Sequence, residues 1–483
     1  MRLRELLRDL SILHTNADLD TEITGVSYDS RQTRPGDLFV AVRGFESDGH
    51  RFIPMAFSKG AVAVLCEVPP TEGAYVQIAD CRLGLALASR SFFGYPAKEM
   101  TMIGLTGTNG KTTTSYLIRH MLEKELGAKV GLIGTNGIMI GDESLHSERT
   151  TPESYELQKL FRQMADAGCT HVVMEVSSHS LALERVAGIE YDVGLFTNLT
   201  QDHLDFHGTM EAYAEAKRKL FSQCRIGVLN RDDPWCGFML KGAKCAVLDY
   251  STESNTAGLV AKDVRLTASG VRFAAVFGNE LALCRLAIPG MFSVYNALGV
   301  LGVGLALGLT LQQAADALSS AKGVKGRVET VPTDGDYAIL IDYAHTPDAL
   351  ENVLKTLRGV TRGRLIAVFG CGGDRDKAKR PLMGAIAADN ADIAVVTSDN
   401  PRTEEPEEII REILEGMKDK HGYTKVICDR IEAIHWAIDN ARSGDVILLA
   451  GKGHEDYQIV GHEKHHMDER EIVADYLRER NKT

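Results

Sequence analysis

Within GTNGKTTT (107–114) the chain sets Gly107, Thr108, Asn109, Gly110, Lys111, Thr112 and Thr113 where a polyphosphate would need them. The two glycines let the backbone turn its N–H groups inward around phosphate oxygens. The Lys111 ammonium has the reach for β- and γ-phosphates, and the Thr112 hydroxyl suits Mg²⁺. A helix starting at the lysine adds the positive end of its dipole. One departure from GxxxxGK[ST] is visible: Leu105 stands where the first glycine belongs. ATP with Mg²⁺ is the expected ligand, since Gly-Lys-Thr at a strand-to-helix turn has few other uses.

Other candidate groups lie at the ends of apolar runs. HVVMEVSSHS ends in Glu175, Ser177 and His179, a carboxylate suited to Mg²⁺ directly or through water. NLTQDHLDFHGT holds Asp202, His203, Asp205 and His207, which read equally as loop polar residues or as ligands, although Mg²⁺ prefers oxygen. EAYAEAKRKLF places Lys217 on a helix, where by itself it reads as a solvated lysine. SDNPRTEEP follows the buried run ADIAVVT and puts Arg402 at a strand end, either turned to water or awaiting an anion. GHEKHH (His462, His465, His466) reads as a solvated hairpin end, and Cys371 has no base partner in sequence.

The elements that must hold these groups follow an apolar run, turn, amphipathic helix grammar. MTMIGL precedes the glycine loop, and Leu117, Ile118, Met121, Leu122 and Leu126 share one face of the next helix, with Gly127 as its stop. Further runs (VGLIG, VGLFTNL, IGVLN) imply a largely parallel, doubly wound sheet. The grammar restarts after Arg327, and ligands in such sheets bind beyond the carboxyl ends of the strands. The first ~95 residues hold shorter strands, DLFVAV and GAVAVLCEV.

At 483 residues the chain exceeds one core, and its 44% hydrophobic and 25% charged content is that of a globular protein. The net charge of -12 argues against a general nucleic-acid binder. No apolar stretch is long enough to span a membrane. MRLRELLRDLS reads as an amphipathic helix, not a signal peptide. Nine cysteines without a CxxC pair read as reduced thiols, so a cytoplasmic protein is expected.

Together GTNGKTTT, MEVSSH, TNLTQDHLDFHG, EAKRKLF, FSVYNAL, GVKGRVE, DYAHTPDAL and DNPR resemble the Mur ligases of bacterial cell-wall synthesis. The match runs from DSR near residue 30 to GKGHED near residue 455. It implies an α/β protein of three domains: a small UDP-binding α/β domain (1–97), a central P-loop ATPase-like doubly wound domain (98–326) and a C-terminal Rossmann-like domain (327–483). It also implies a reaction, in which a carboxylate of UDP-N-acetylmuramoyl-L-alanyl-D-glutamate takes the γ-phosphoryl group of ATP. An amine then displaces phosphate to form an amide, and the protein itself is expected to be a monomer.

By this resemblance Lys111 and Thr112 hold phosphates and a first Mg²⁺, and Glu175 and His203 assist with metal. Lys217 resembles a lysine carbamylated by CO₂, an anionic ligand for a second Mg²⁺. Asn296, Arg327, Asp342 and His345 resemble residues around the nucleotide. Ser30 resembles a uridine contact, while Thr150, Thr151, Ser177 and Arg185 resemble contacts to the muramoyl dipeptide. Two departures fall here: Leu183 replaces a Gln of some relatives, and Phe45 to Ser47 differ from the expected uracil-side residues. Thr150 and Thr151 also suit a helix N-cap ahead of PESYELQKLF.

The incoming amino acid is expected to be meso-2,6-diaminopimelate, because an arginine forks onto a carboxylate and Arg402 suits its distal one. Asn400 and Pro401 share that loop, Asp399 and Glu455 suit the ammonium, Gly451 permits close approach, and Arg375 resembles a second carboxylate contact. The alternatives are a lysine-adding or folylpolyglutamate synthase-like ligase, or a non-catalytic ATP switch.

Overall fold

A computed structural model describes the chain except residues 45–46, 148, 268–269, 322, 419, 421 and 481–483. Phe45 and Glu46 of the uracil-side stretch thus lie outside the described residues. The chain divides into two units, Met1–Val260 with Leu298–Ala314, and Ala261–Ala297 with Ala315–Thr483.

The first unit carries two sheets. The smaller runs, in spatial order, His14–Thr15, Tyr75–Gln77, Ala63–Cys66, Asp37–Val40 and Gly25–Ser27, parallel except at its first pair. The amphipathic N-terminal stretch forms one turn of helix, Leu3–Leu6, and buries Leu3, Leu6 and Leu7 in this sheet's core.

The larger sheet runs Ala246–Ser251, Cys224–Asn230, Tyr191–Phe196, Thr101–Thr106, His171–Glu175 and Val130–Gly134 in parallel, then adds the antiparallel strands Gly137–Ile140 and Glu143–Leu145. Thr101–Thr106 is the first of these strands in the chain and yet lies centrally. Its neighbours, Tyr191–Phe196 and His171–Glu175, connect away on opposite sides, so the glycine loop sits at a topological switch point. The helix after the loop is Lys111–Leu126, ended by Gly127 at φ +60°. It buries Leu117, Ile118, Met121 and Leu122, but Leu126, its last residue, is 45% exposed.

In the second unit a six-stranded sheet runs Glu329–Val331, Ala338–Asp342, Val446–Ala450, Leu365–Phe369, Ile393–Val396 and Tyr423–Val426, parallel apart from its first strand. Asp342 is in register with Ala450, and Phe369 with Val396. The polar clusters beyond these strands therefore share one end of the sheet. A core of Ile341, Ile366, Val368, Val395, Ile447 and Leu449 fixes that end.

Candidate active site

Gly107 turns at φ +149° and Gly110 at φ +85°, conformations that L side chains rarely adopt. A Cβ on Gly107 would lie 1.9 Å from Thr197 Oγ1, so the loop packs too closely for any other residue. The segment after Tyr191–Phe196 braces it. Thr197 Oγ1 donates to Asn109 O (2.7 Å), Asn109 N donates to Asn198 Oδ1 (2.9 Å), and Thr108 N donates to Asn198 O (2.9 Å). Sequence reasoning missed Thr197 and Asn198; the only available signal was their place in TNLT at a strand end. Lys111 Nζ folds over the loop and donates to Gly107 O and Thr108 O, both at 2.9 Å. Thr112 and Thr113 are buried at the helix start. With Thr108 N and Asn109 N engaged by Asn198, the parts that fit a polyphosphate are the lysine at the loop's rim and the N-terminus of the helix Lys111–Leu126.

Lys217 is not a solvated lysine. It is 1% exposed, near the end of the helix Met210–Arg218, and its Nζ donates to Gly107 O at 2.8 Å. Burial pushes its ammonium well below the usual lysine range, and the Lys111 charge adds to the effect. Glu175 is fully buried, and its carboxylate accepts from Thr135 N (3.0 Å) and Thr135 Oγ1 (3.1 Å). His203 adopts φ +54°, half-exposed, with its ring 4.8 Å from that of His179 and 6.0 Å from that of Tyr213. Tyr213 in turn shares a hydrogen bond with Thr108 Oγ1 (3.1 Å). Among the described residues no three His, Cys, Asp or Glu side chains are arranged to hold a metal ion.

Ser30, Leu183 and Arg185 line one cavity of about 910 Å³, together with Arg82 and Arg149. Arg185 is held by Glu153 (2.6 Å) and donates to Thr151 O (3.2 Å). Thr151 Oγ1 donates to Glu175 O (2.8 Å) and accepts from Ser177 N (3.1 Å), tying the dipeptide candidates to the Glu175 strand. Thr150 meets Thr135 through their hydroxyls at 3.1 Å. Neither threonine caps the following helix: it runs Ser154–Asp166 with Glu153 at the N-cap.

In the second unit the Asp342 carboxylate accepts from Val328 N and Ala344 N, both at 2.8 Å. Burial pushes its acid up, against the pull of Arg327. Arg327 lies 5.3 Å over the Tyr343 ring, and His345 shares a 2.8 Å hydrogen bond with Tyr343 O. Asn296 is buried in the helix Met291–Ala306, and its Nδ2 has no partner among the described residues.

Arg402 stands at φ +50°, pinned by Arg402 N to Ile459 O (3.1 Å) and Gly461 N to Arg402 O (2.7 Å). The acceptors and donors at 459 and 461 belong to the hairpin Tyr457–Val460 and Glu463–His466, whose His465 and His466 are exposed as expected. The Arg402 guanidinium donates to Gly373 O (2.8 Å). Gly451, at φ +112°, leaves room for Asp399, whose Oδ2 would sit 2.6 Å from any Cβ there. Pro401 is buried beside them. Arg375 is exposed and bonds its neighbour's carbonyl, Asp374 O (3.3 Å), and its Cγ flanks Gly372 together with Arg402 Nη1, at 3.8 and 2.9 Å from where a Cβ on that glycine would stand.

Sequence reasoning missed three buried cations in this unit. Arg380 grips Glu404 (2.9 Å) and Glu412 (2.8 Å), which holds the Glu404 acid down at about 2. Arg430 pairs with Glu469 (2.8 Å) and donates to Ala450 O (2.8 Å). Lys452, fully buried, lies among Asp399, Asn400 and Glu455. The charged residues hid in runs such as DKAKR and CDRIE that look like solvated surface. Cys371 is buried, and burial pushes its thiol up to about 12, which disfavours the thiolate.

Three family models match the chain in order: Mur ligase family, catalytic domain (22–82), Mur ligase middle domain (105–304) and Mur ligase, glutamate ligase domain (326–453). A UDP-N-acetylmuramoyl-L-alanyl-D-glutamate–2,6-diaminopimelate ligase of Caldanaerobacter subterraneus subsp. tengcongensis is 46% identical, with 100% of each chain covered. The chain belongs to the Mur ligase family. A ligase of the same name from Clostridium botulinum is 45% identical over 95% of this chain and 96% of its own. A solved structure of a ligase of that name matches this Mur ligase with a TM-score of 0.78 at 33% identity, covering 100% of both chains. The folylpolyglutamate synthase of Mycobacterium tuberculosis reaches a TM-score of 0.61 at 17% identity over 76% of this chain and 92% of its own, a likeness of fold. The three-domain α/β architecture of Mur ligases is thus that of this chain. No helix among the described residues is long and apolar enough to cross a membrane.

Proposed function

We propose that this Mur ligase joins 2,6-diaminopimelate to UDP-N-acetylmuramoyl-L-alanyl-D-glutamate with the conversion of ATP to ADP and phosphate. The observation that carries the reading is the end-to-end identity of 46% with a ligase of that name, coincident with the DNPR loop. ATP would rest on residues 107–113, with Asn296, Arg327, Asp342 and His345 as its further contacts. It supplies the phosphoryl group that turns the D-glutamyl carboxylate into an acyl phosphate. Positioning and charge stabilisation by Lys111 and the loop N–H groups suit that transfer, which needs no protein nucleophile.

Mg²⁺ would be held by Thr112, Glu175, His203 and a carbamylated Lys217. CO₂ adds to a neutral amine, and burial shifts Lys217 toward that form, which supports the carbamate. The Ser30–Arg185 cavity, with its arginines, suits a nucleotide diphosphate sugar, while Thr150, Thr151 and Ser177 suit the dipeptide. Arg402 would fork onto the distal carboxylate of the meso isomer, and Asp399, Asn400, Pro401, Gly451 and Glu455 would surround its ammonium. We place the domain boundaries near residues 98 and 326 and expect a cytoplasmic monomer.

The test is ADP release by the full chain with UDP-N-acetylmuramoyl-L-alanyl-D-glutamate and, in turn, meso-diaminopimelate, L-lysine or L-ornithine. Turnover with diaminopimelate alone is expected. Equal turnover with L-lysine would overturn the assignment.

A further inference from the structure

Lys452 is 0% exposed, yet it lies in GKGHED beside residues assigned to the incoming amino acid. Its Nζ donates to Asn400 Oδ1 (2.5 Å) and to Tyr457 O (2.8 Å). It stands 3.5 Å from Glu455 Oε2 and 3.8 Å from Asp399 Oδ1. Asn400 completes the cluster by donating from Nδ2 to Glu455 Oε2 (2.9 Å) and accepting Ile459 N at Oδ1 (2.9 Å). An ammonium accepts no hydrogen bond, so Lys452 forces Asn400 to face it with oxygen and Glu455 with nitrogen.

The charges then add simply. Asp399 and Glu455 contribute two negative charges and Lys452 one positive, leaving room for one external ammonium. Arg430, the next cation, is consumed by Glu469 at 2.8 Å. Arg402 adds one positive charge in the same loop, matched to one carboxylate. Burial pushes Glu455 up and Lys452 down, against the pull of the Lys452 charge on Glu455 and of Asp399 and Glu455 on Lys452.

We infer that Lys452 is a specificity-determining positioning residue: its ammonium sets the acceptor pocket one charge short of dianionic, so that the pocket takes a zwitterionic end group carrying one ammonium and one carboxylate. The inference rests on the acceptor site proposed above. Without Lys452 the pocket carries an extra negative charge, which favours a side chain ending in an ammonium alone and disfavours one that brings a carboxylate.

The experiment compares kcat/KM for meso-diaminopimelate and L-lysine in the full-length wild type, Lys452→Met and the double variant Lys452→Met/Glu455→Gln. In Lys452→Met the diaminopimelate-to-lysine ratio should fall by about tenfold or more, with KM for ATP unchanged, because a mismatched buried charge discriminates strongly. The double variant restores the charge count, and its ratio should return toward the wild-type value. A structural role alone would lower both substrates together and show no such recovery. An unchanged ratio in Lys452→Met overturns the inference. If Lys452→Met does not fold, the double variant, which leaves no extra buried charge, decides: a tenfold lower ratio overturns the inference. Wild-type protein that releases no ADP with diaminopimelate would instead refute the proposed function.

Discussion

The glycine loop and the loop at 399–402 present charge by opposite means. The loop at 107–113 works with backbone: a turn set by two glycines and braced by Thr197 and Asn198, leading into a helix N-terminus, with Lys111 and Lys217 resting on its carbonyls. The loop at 399–402 works with buried side-chain charges: Lys452, Asp399 and Glu455, with the Arg430–Glu469 pair reaching Ser398 O and Ala450 O beside it. A phosphate recurs in countless ligands, and dipoles suffice to hold it. Selecting one amino acid requires charges placed in pairs, because a neutral cradle rejects a wrong end group weakly.

The sharpest contrast should come from removing one cation at each place. Lys111→Ala is expected to lower kcat for ADP formation by roughly 10²–10³ or more with every acceptor, since it strips charge stabilisation from the transferring group. Steady-state kinetics with saturating acceptor would measure it. A loss confined to KM for ATP would mean that Lys111 binds the ground state only. Lys217→Ala should be as severe, and formate or acetate should restore part of the rate if an anionic oxygen is what the lysine supplies.

Next in size is a stability effect peculiar to the second unit. Arg430 and Glu469 are both 0% exposed, and the arginine also holds Ala450 O. Glu469→Gln leaves a buried guanidinium without its counter-charge, at a cost of about 3–5 kcal/mol. Urea denaturation would show the shift. Replacing both residues by methionine should recover most of it, since an apolar pair of similar volume is often nearly neutral.

The contrast also explains what could be read from the chain. The glycine loop was legible because its function is local: eight consecutive residues carry the turn, the lysine and the helix start. The Arg402 loop was legible through DNPR, and the strand ends through their apolar runs. Lys452, Arg430 and Arg380 were not, because a charged residue inside a polar run has no periodic signature of burial; the partners that reveal it, Asn400, Glu469 and Glu404, lie 52, 39 and 24 residues away. Lys217 failed for the same reason, its partner Gly107 lying 110 residues away. Thr150 and Thr151 deceived through local grammar, since a threonine ahead of Pro-Glu-Ser suits an N-cap but here bonds a neighbouring strand end.

A smaller effect would separate charge from shape at Arg402. Arg402→Lys keeps the charge but loses the fork, and the backbone pins at Ile459 and Gly461 survive the change. KM for diaminopimelate should rise about tenfold to a hundredfold with KM for ATP unchanged, as expected for one lost charge-assisted hydrogen bond. Isothermal titration in the presence of an unreactive ATP analogue would check that the loss is in binding.

The smallest expected effect is a pH dependence carried by His454 in the second unit. Burial, with Arg327, Lys325 and Arg470 nearby, pushes its imidazolium down to about 4, and its Nδ1 has no partner among the described residues. In the unfolded chain the same group titrates near the ordinary histidine value of about 6.5. Between those values the unfolded state binds a proton that the folded state refuses, so stability falls as pH drops from about 6.5 toward 4 and levels off below that. Partial solvent access screens the effect to on the order of 1 kcal/mol. Comparing urea midpoints at pH 7.5 and 5 in the wild type and in His454→Gln would isolate it, because the variant should lose less stability on acidification. Equal losses in the two proteins would place the acid sensitivity on groups other than His454, and the charge pairs at Lys452 would then have to be titrated one by one.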